Sequence, residues 1–583
     1  MRTMVKSNYN KYPAIPLSGD IWLGWDSIYQ KLKKQIAASS KEKVIVIVEC
    51  YQGVNHQELI EGFRQLSPAL FLNTADVFYS EPKIRDITYP DVTDDAIFGY
   101  ITRLEIGDML DPVKVNEFRT IIEQSKGLVI LYGYGASIVA DDYDMLIYAD
   151  MPRWEIQLRQ RKHEISNMGL DNKDEPATAQ YKRSFFVDWR MCDKLKKTLW
   201  HKADYWLDTV KPGEPKMISS PTMLQGLAQT VKRPFRVVPF FDPGVWGGQW
   251  MKEVCDLDKA APNYAWCFDC VPEENSLLFD ISGHIFEIPS INLVFYKTKE
   301  LLGESVESRF GQEFPIRFDF LDTIKGGNLS LQVHPTTQYI RDKFGLNYTQ
   351  DESYYILDAL PGAGVYLGVK TGINPDELIH DLEEAQKGET VFDADKYINQ
   401  FPAKKHDHFL IPNGTIHCSG ANCMILEISA TPYIFTFKLW DWNRLGLDGK
   451  PRPINITHGS AVIQWDRDTD YCRNQLVSKI ERVNEGKGWY EERTGLHKNE
   501  FIETRRHWFT EKVEHATGNT VNVLNLIEGR EVTVESPSGA FEPFIVHYAE
   551  TFIVPAAVDS YTIKPSGESI GKTCATIKAY IRV

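Results

Sequence analysis

Two hydrophobic periods divide the chain. Over residues 1–210, short unbroken apolar runs alternate with stretches whose apolar residues recur every three or four positions. Lys43 to Glu49 (KVIVIVE) has no polar face, which predicts a strand covered on both sides. A turn-like Tyr51-Gln52-Gly53-Val54-Asn55 follows, and then His56 to Leu66, where Leu59, Ile60, Phe63 and Leu66 mark one face of a helix. Gly127 to Gly133 and Met145 to Ala149 predict further strands, and Trp154 to His163 a charged helix. This succession predicts an α/β layer with a parallel sheet. Lys211-Pro212-Gly213-Glu214-Pro215 punctuates the chain, and 211–233 reads as a linker.

Beyond it the period shortens to two. Phe286 to Phe295, Pro315 to Phe320, Leu329 to Val333, Ser353 to Leu357, Val365 to Val369, Met424 to Ser429 and Tyr433 to Trp440 are rich in aromatic and β-branched residues and read as short strands. A helical pattern interrupts them at about 374–397. The pattern predicts a β-rich domain over 234–500, of sandwich or barrel type, and a second barrel over 501–583.

The length of 583 residues agrees with several domains, since single cores stop growing well short of it. With 43% hydrophobic and 25% charged residues the chain has ample material for large cores. A net charge of −15 argues against a nucleic-acid partner, which requires a basic face. Neither a signal-peptide core nor a run of membrane-spanning length occurs, so a cytosolic protein with no membrane partner is expected. Nine cysteines, an odd number spread along a long chain, suit reduced thiols. The single CxxC, Cys267 to Cys270, lacks the second pair that a structural zinc of the four-cysteine type needs. Nothing in the pattern sets an oligomeric state.

The order of strand, turn and helix, with Ala149-Asp150-Met151-Pro152 and the basic Arg153, Arg159, Arg161 and Lys162 after it, resembles P-loop nucleoside kinases of the uridine-kinase type. The loop departs from that family. Glu49 to Glu58 (ECYQGVNHQE) has one glycine, no Lys and no Ser or Thr, so it lacks the groups that cradle phosphate and hold magnesium. A degenerate P-loop-like domain used for packing, assembly or regulation is expected.

Candidate chemistry lies in the β-rich part. Period 2 puts Ser330, Gln332 and His334 on one face of Leu329 to His334. Glu352 stands at a strand start, and His417 follows the turn Pro412-Asn413-Gly414. One amide oxygen, one carboxylate and two imidazoles suit a catalytic metal with open positions, although on the residues alone a packed, hydrogen-bonded cluster is the commoner use of such side chains. Leu329-Ser330-Leu331-Gln332-Val333-His334-Pro335, Trp246-Gly247-Gly248, Phe314-Pro315 with Phe320-Leu321-Asp322, Glu352 to Leu357, Pro412 to His417, Asp441-Trp442-Asn443-Arg444, Gly449-Lys450-Pro451-Arg452 and Glu550 to Ala556 then occur in the order in which similar motifs stand in class I mannose-6-phosphate isomerases, a cupin-type family. The resemblance covers the chain from about Arg236 onward. It implies a Zn2+ site of Gln332, His334, Glu352 and His417, a sugar phosphate substrate, and aldose–ketose isomerisation through a cis-enediol.

Glu427 is then the candidate base, with a structural pairing to Lys438 as its other reading; Lys438 is the candidate enediolate stabiliser, and Arg444 a third catalytic candidate inside a matched motif. Three positions depart from the family: Asp319 and Gln350 replace lysines, and Lys438 replaces an arginine. Arg317, Lys325, Arg444 and Lys450 are cations close enough in sequence to compensate. The losses leave two other readings open, an isomerase or epimerase of another, less charged sugar and a non-catalytic sugar or nucleotide sensor.

Overall fold

A computed structural model describes residues 6–388, 390–445 and 454–582. Lys450 and the segment 449–452 lie outside the described residues. The chain forms two compact units. One comprises 14–229 and 272–296; the other comprises 1–13, 230–271 and 297–583.

The first is an α/β unit. Lys43–Cys50 runs at the centre of its sheet, parallel to Gly127–Gly133 on one side and Met145–Asp150 on the other. Leu70–Asn73 and Tyr205–Asp208 extend the parallel part outward. Seven of the eight residues of the central strand are buried, the outcome its unbroken apolar run requires. The helix His56–Arg64 starts where Asn55 accepts hydrogen bonds from the amides of Gln57 and Glu58, which fixes the end of the preceding turn.

The span 211–233 is not a linker. Lys216–Ser219 adds an antiparallel strand beside Tyr205–Asp208, and Ser220–Thr230 is a helix. The Pro/Gly cluster that suggested a linker is the tight connection of this hairpin. A second departure concerns 286–295. His284–Pro289 is a strand, but it pairs with Ser276–Ile281 inside the α/β unit, and Ile291–Tyr296 is a helix. A short apolar run carries no period that separates strand from buried helix.

Of the basic residues after Asp150, Arg153 and Arg159 are buried, while Arg161 and Lys162 are exposed. Arg153 pairs with Asp193, which also accepts from the Tyr51 hydroxyl at 2.9 Å. Arg159 donates to Glu155 and to the carbonyls of Gly53 and Thr209. Lys196 meets Asp150 at 2.7 Å and the amide oxygen of Asn292 at 3.0 Å, and Asn292 donates in turn to Asp150 at 2.8 Å. At the end of the central strand, Glu49 accepts from the amides of Gly135 and Ser137 and from the Ser137 hydroxyl.

The second unit is β-rich. Among its described residues one antiparallel sheet runs His408–Ile411, Glu352–Ala359, Cys423–Ala430, Ile316–Asp322, Trp266–Cys270, Phe240–Asp242. Another runs Ile398–Pro402, Gly364–Val369, His417–Ser419, Leu331–Val333, Phe437–Trp440. Helices Pro375–Lys387 and Ala394–Tyr397 interrupt the strands in the span where a helical pattern was read. Toward the C-terminus a six-stranded and a four-stranded sheet enclose Phe509, Leu524, Leu526, Val532, Phe552 and Tyr561. These sheets begin at Glu481, before the boundary of 501 read from the sequence. Strands Glu481–Gly486 and Trp489–Arg493 carry no apolar face that would announce them.

The first residues also differ from the reading. Tyr9 is buried and donates to Asp269, and Asn10 reaches Glu550 and Arg236, so this segment belongs with the β-rich unit and not with the α/β layer. Asp269 stands inside the CxxC, and both flanking cysteines are buried and outside any disulfide. Among the described residues no helix is long and apolar enough to cross a membrane.

Candidate metal centre

Strand register builds this site. In antiparallel pairs, directly opposed residues project from the same face of the sheet. Gln332 is opposed to His417 on one neighbouring strand and to Lys438 on the other. In the facing set of strands, Glu352 opposes Ser429, which opposes Arg317. Two residues further along, Tyr354 opposes Glu427, which opposes Asp319.

Three of the predicted ligands converge. The imidazole Nε2 of His417 lies 2.8 Å from Oε1 of Glu352, and Nε2 of His334 lies 3.1 Å from Oε2 of the same carboxylate. All three residues are buried, and their donor atoms lie within 4.8 Å of one another. Gln332 brings its amide to 3.2 Å from Nε2 of His417. Nδ1 of His417 faces the carbonyl of Thr415 at 2.9 Å, and Nδ1 of His334 faces that of Phe435 at 3.1 Å. A carbonyl accepts only, so each Nδ1 carries a hydrogen, and each Nε2 is the atom turned toward Glu352.

Lone pairs from two imidazoles and a carboxylate aimed at one point repel one another unless a proton or a cation lies between them. Neither Nε2 of His334 nor Oε1 of Glu352 makes a well-formed hydrogen bond, although both are buried. Such orphaned acceptors are costly, and a shared cation satisfies them together. Two nitrogens, one carboxylate and one amide oxygen are a donor set that suits zinc. Burial pushes the Glu352 carboxyl up, but His334 and His417 outweigh it and hold the group well below the ordinary carboxylate range.

Beside the ligands lies a buried cluster of acids and their partners. Glu427 accepts from the Ser429 hydroxyl at 3.0 Å, from the Gln350 amide at 3.3 Å and lies 3.6 Å from Arg317. The same Gln350 amide donates to Glu352 at 2.9 Å, so it links the candidate base to the candidate ligand. Arg317 meets Asp319 at 2.9 Å. Burial, with Asp319 and Glu352 as like charges, pushes the Glu427 carboxyl well above the usual range, and Arg317 partly offsets this. Burial likewise raises Asp319 against the pull of Arg317.

Glu427 therefore has Arg317, Gln350 and Ser429 as partners, where pairing with Lys438 was one expectation. Lys438 shares the sheet face of Gln332. Arg444 does not join the cluster: its guanidinium donates to Asp441 at 2.8 Å and to the Asn328 carbonyl at 2.6 Å. Asp441 also accepts from Ser330 at 2.7 Å, and the Trp442 indole donates to the Leu329 carbonyl. The matched Asp-Trp-Asn-Arg segment thus clamps the loop ahead of Gln332, a positioning task that its sequence alone did not separate from catalysis. Tyr354 and Ser429 were missed as neighbours of the site. Their signal was present, since each stands two residues from a candidate, Glu352 or Glu427, on the same strand face.

Comparisons with known proteins complete the description. Residues 24–232 match the model of a domain of unknown function, DUF8485. The chain is 24% identical over 221 residues to a mannose-6-phosphate isomerase of Streptococcus mutans, covering 38% of this chain and 64% of that protein. It is 24% identical over 230 residues to mannose-6-phosphate isomerase ManA of Bacillus subtilis, covering 39% of this chain and 66% of that protein. The chain thus spans somewhat under two thirds of the length of these curated relatives. Among solved structures, a mannose 6-phosphate isomerase from Bacillus subtilis aligns with a TM-score of 0.48 and 18% identity, over 60% of this chain and 99% of that one.

Proposed function

We propose that the chain is a zinc-dependent sugar isomerase that interconverts an aldose and a ketose, with mannose 6-phosphate and fructose 6-phosphate as the first pair to test. The observation that carries this reading is the convergence of His334, Glu352 and His417, with a buried carboxylate, Glu427, linked to Glu352 through one amide. Homology to named mannose-6-phosphate isomerases supports it.

Gln332, His334, Glu352 and His417 would hold the zinc, which supplies Lewis-acid polarisation of the substrate's carbonyl and hydroxyl oxygens. The chain's own groups supply the rest. Moving a proton between C1 and C2 needs a base that accepts it from one carbon and returns it to the other. Glu427 suits this, because its burial and like-charged neighbours raise its affinity for a proton. Gln350 and Ser429 hold the carboxylate in one orientation. Lys438, on the face of Gln332, is the cation proposed to steady the enediolate oxygen.

One observation favours a second reading. Where the resemblance expects a lysine, Asp319 places an acid, and the nearest cation, Arg317, is held by it. A less charged sugar fits such a wall better than a phosphate dianion. Zinc-loaded protein incubated in deuterated water with mannose 6-phosphate and with free mannose separates the readings. Fructose 6-phosphate carrying deuterium is the expected product; turnover of free mannose alone selects the second reading. No turnover of either, with zinc bound, overturns both. His334→Ala is expected to lose metal and activity together, and a variant that kept both would overturn the ligand assignment.

For the α/β unit we infer a degenerate P-loop-like domain with a packing or assembly role. Its support is the loop without Lys, Ser or Thr and the cations Arg153 and Lys196 bound to internal acids.

A further inference from the structure

We propose that the β-rich unit carries a second small-molecule site, outside the metal centre, which takes a dianionic phosphate group, either free or as the monoester of a small metabolite. A cavity of about 340 Å³ lies between His408–Ile411, a strand of the metal-bearing sheet, and the strands Trp489–Arg493 and Ile502–Phe509 of the C-terminal sheets. Leu410, Arg493 and Ile502 line it from these three elements. Leu410 opposes Ser353, and its neighbour Ile411 opposes the candidate ligand Glu352. Adjacent residues of a strand project from opposite faces, so the cavity lies on the face of this sheet turned away from Glu352. Its volume is at the small end of the range for small-molecule sites and suits a compact ligand.

The lining sets the ligand class. It holds four cations, Lys479, Arg493, Lys498 and Arg582, and two acids, Glu481 and Glu503. Both acids are already engaged: Arg493 holds Glu481 at 2.5 Å, and Arg505, from outside the lining, holds Glu503 at 2.5 Å. Lys479, Lys498 and Arg582 are therefore in excess. Arg582 is fixed by the carbonyls of His497 and Lys498, to which it donates at 3.2 and 3.3 Å, and because carbonyls are neutral its guanidinium keeps its full charge. Lys479 and Lys498 are exposed and make no ion pair among the described residues. The field of these groups reaches the next layer inward: burial lowers the His497 imidazole, and Arg467, Lys498 and Arg582 lower it further. On a chain of net charge −15 this is a local basin for an anion. A phosphate dianion matches three uncompensated cations better than a carboxylate does, since it presents more charge and more oxygens to charge-assisted hydrogen bonds. Asn474 and Gln475, also in the lining, add neutral amide donors for the remaining oxygens.

The test is calorimetric titration of the full chain with inorganic phosphate, glycerol 3-phosphate, malonate and glycerol. At least one of the two phosphates is expected to bind at one site per chain with a Kd below about 1 mM, malonate about ten-fold more weakly and glycerol not at all. The tighter of the two phosphates identifies the source. Lys479→Glu with Lys498→Glu, at two exposed positions, should weaken binding by about ten-fold or more while the thermal transition stays in place. Lys126→Glu with Lys202→Glu changes the net charge equally at exposed positions of the α/β unit and should leave binding as it is. His334→Ala should also leave it as it is, because the metal centre takes no part. The proposal fails if neither phosphate saturates the protein below about 10 mM, if malonate binds as tightly, or if the two charge-reversed proteins bind alike. It fails equally if His334→Ala abolishes binding, which would assign the anion to the metal centre. The isomerase reading rests on turnover and zinc content, so failure here leaves it standing.

Discussion

Glu427 and Arg317 face each other at 3.6 Å within the buried acid cluster, and their pairing makes a kinetic prediction. Burial and like charges raise the Glu427 carboxyl, and Arg317 opposes that rise. A base must be deprotonated to act, so activity should increase with pH through the raised Glu427 ionisation. Arg317→Met removes the opposing charge and should move the acidic limb of the kcat/KM profile to higher pH; a limb that stays fixed would show that another group is the base. Glu427→Gln should lower kcat by about 10²-fold or more with zinc content unchanged, as expected for loss of a general base. Zinc titration of the same variant separates this from ligand loss. The candidate ligands were legible in the sequence because a strand's period of two and short motifs place them. The acid cluster was not: Arg317 and Asp319 share one strand, Glu427 stands on its neighbour and Gln350 precedes a third, and only the register Arg317–Ser429–Glu352 and Asp319–Glu427–Tyr354 brings them together.

At the scale of elements, the buried ion pair of Lys196 and Asp150 ties a helix to the end of a central strand. Both side chains are shielded from water, so removing one partner leaves an uncompensated charge. Lys196→Met should destabilise the α/β unit by about 3–5 kcal/mol, whereas Lys196→Met with Asp150→Asn should recover much of that loss. Chemical denaturation monitored by tryptophan fluorescence measures both. Recovery would show that these charges serve the fold; no recovery would point to a role beyond packing. The parallel core strands could be read from sequence because continuous apolar runs have few other uses. The hairpin at Lys216–Ser219 and the strands from Glu481 to Arg493 could not, since proline, glycine and charge dominate them and pairing with a neighbour supplies their order.

For the molecule as a whole, buried acids set the dependence of stability on pH. Burial raises Glu49, Glu287 and Asp322 each to about 7, with Asp208 adding to the rise at Glu287. Each folded-state value lies above its unfolded one, so the folded chain binds more protons between roughly pH 4.5 and 7. Their contribution to stability is therefore complete below that window and is lost as pH rises through about 7. Thermal midpoints should fall from mildly acidic to mildly alkaline buffer, and Glu287→Gln should flatten the slope. A midpoint that rises over this range would overturn the reading.

The two units interleave along the sequence: 14–229 needs 272–296, and 1–13 belongs with segments that end at 583. Synthesis from the ribosome gives this arrangement a timetable. When residue 230 emerges, the parallel sheet is present, but Lys196 and Asp150 still lack Asn292, which closes their cluster. Tyr9 is buried beside Asp269 with Arg236, and the acid that completes this group, Glu550, is made about 540 positions later. The segment around Tyr9 must therefore wait until the chain has grown by those residues. A nascent chain stalled after residue 296 but before the final barrel has every segment of the α/β unit and leaves the β-rich unit without the partner of its Tyr9 segment, so chaperone attendance during synthesis is expected to matter for the β-rich unit in particular.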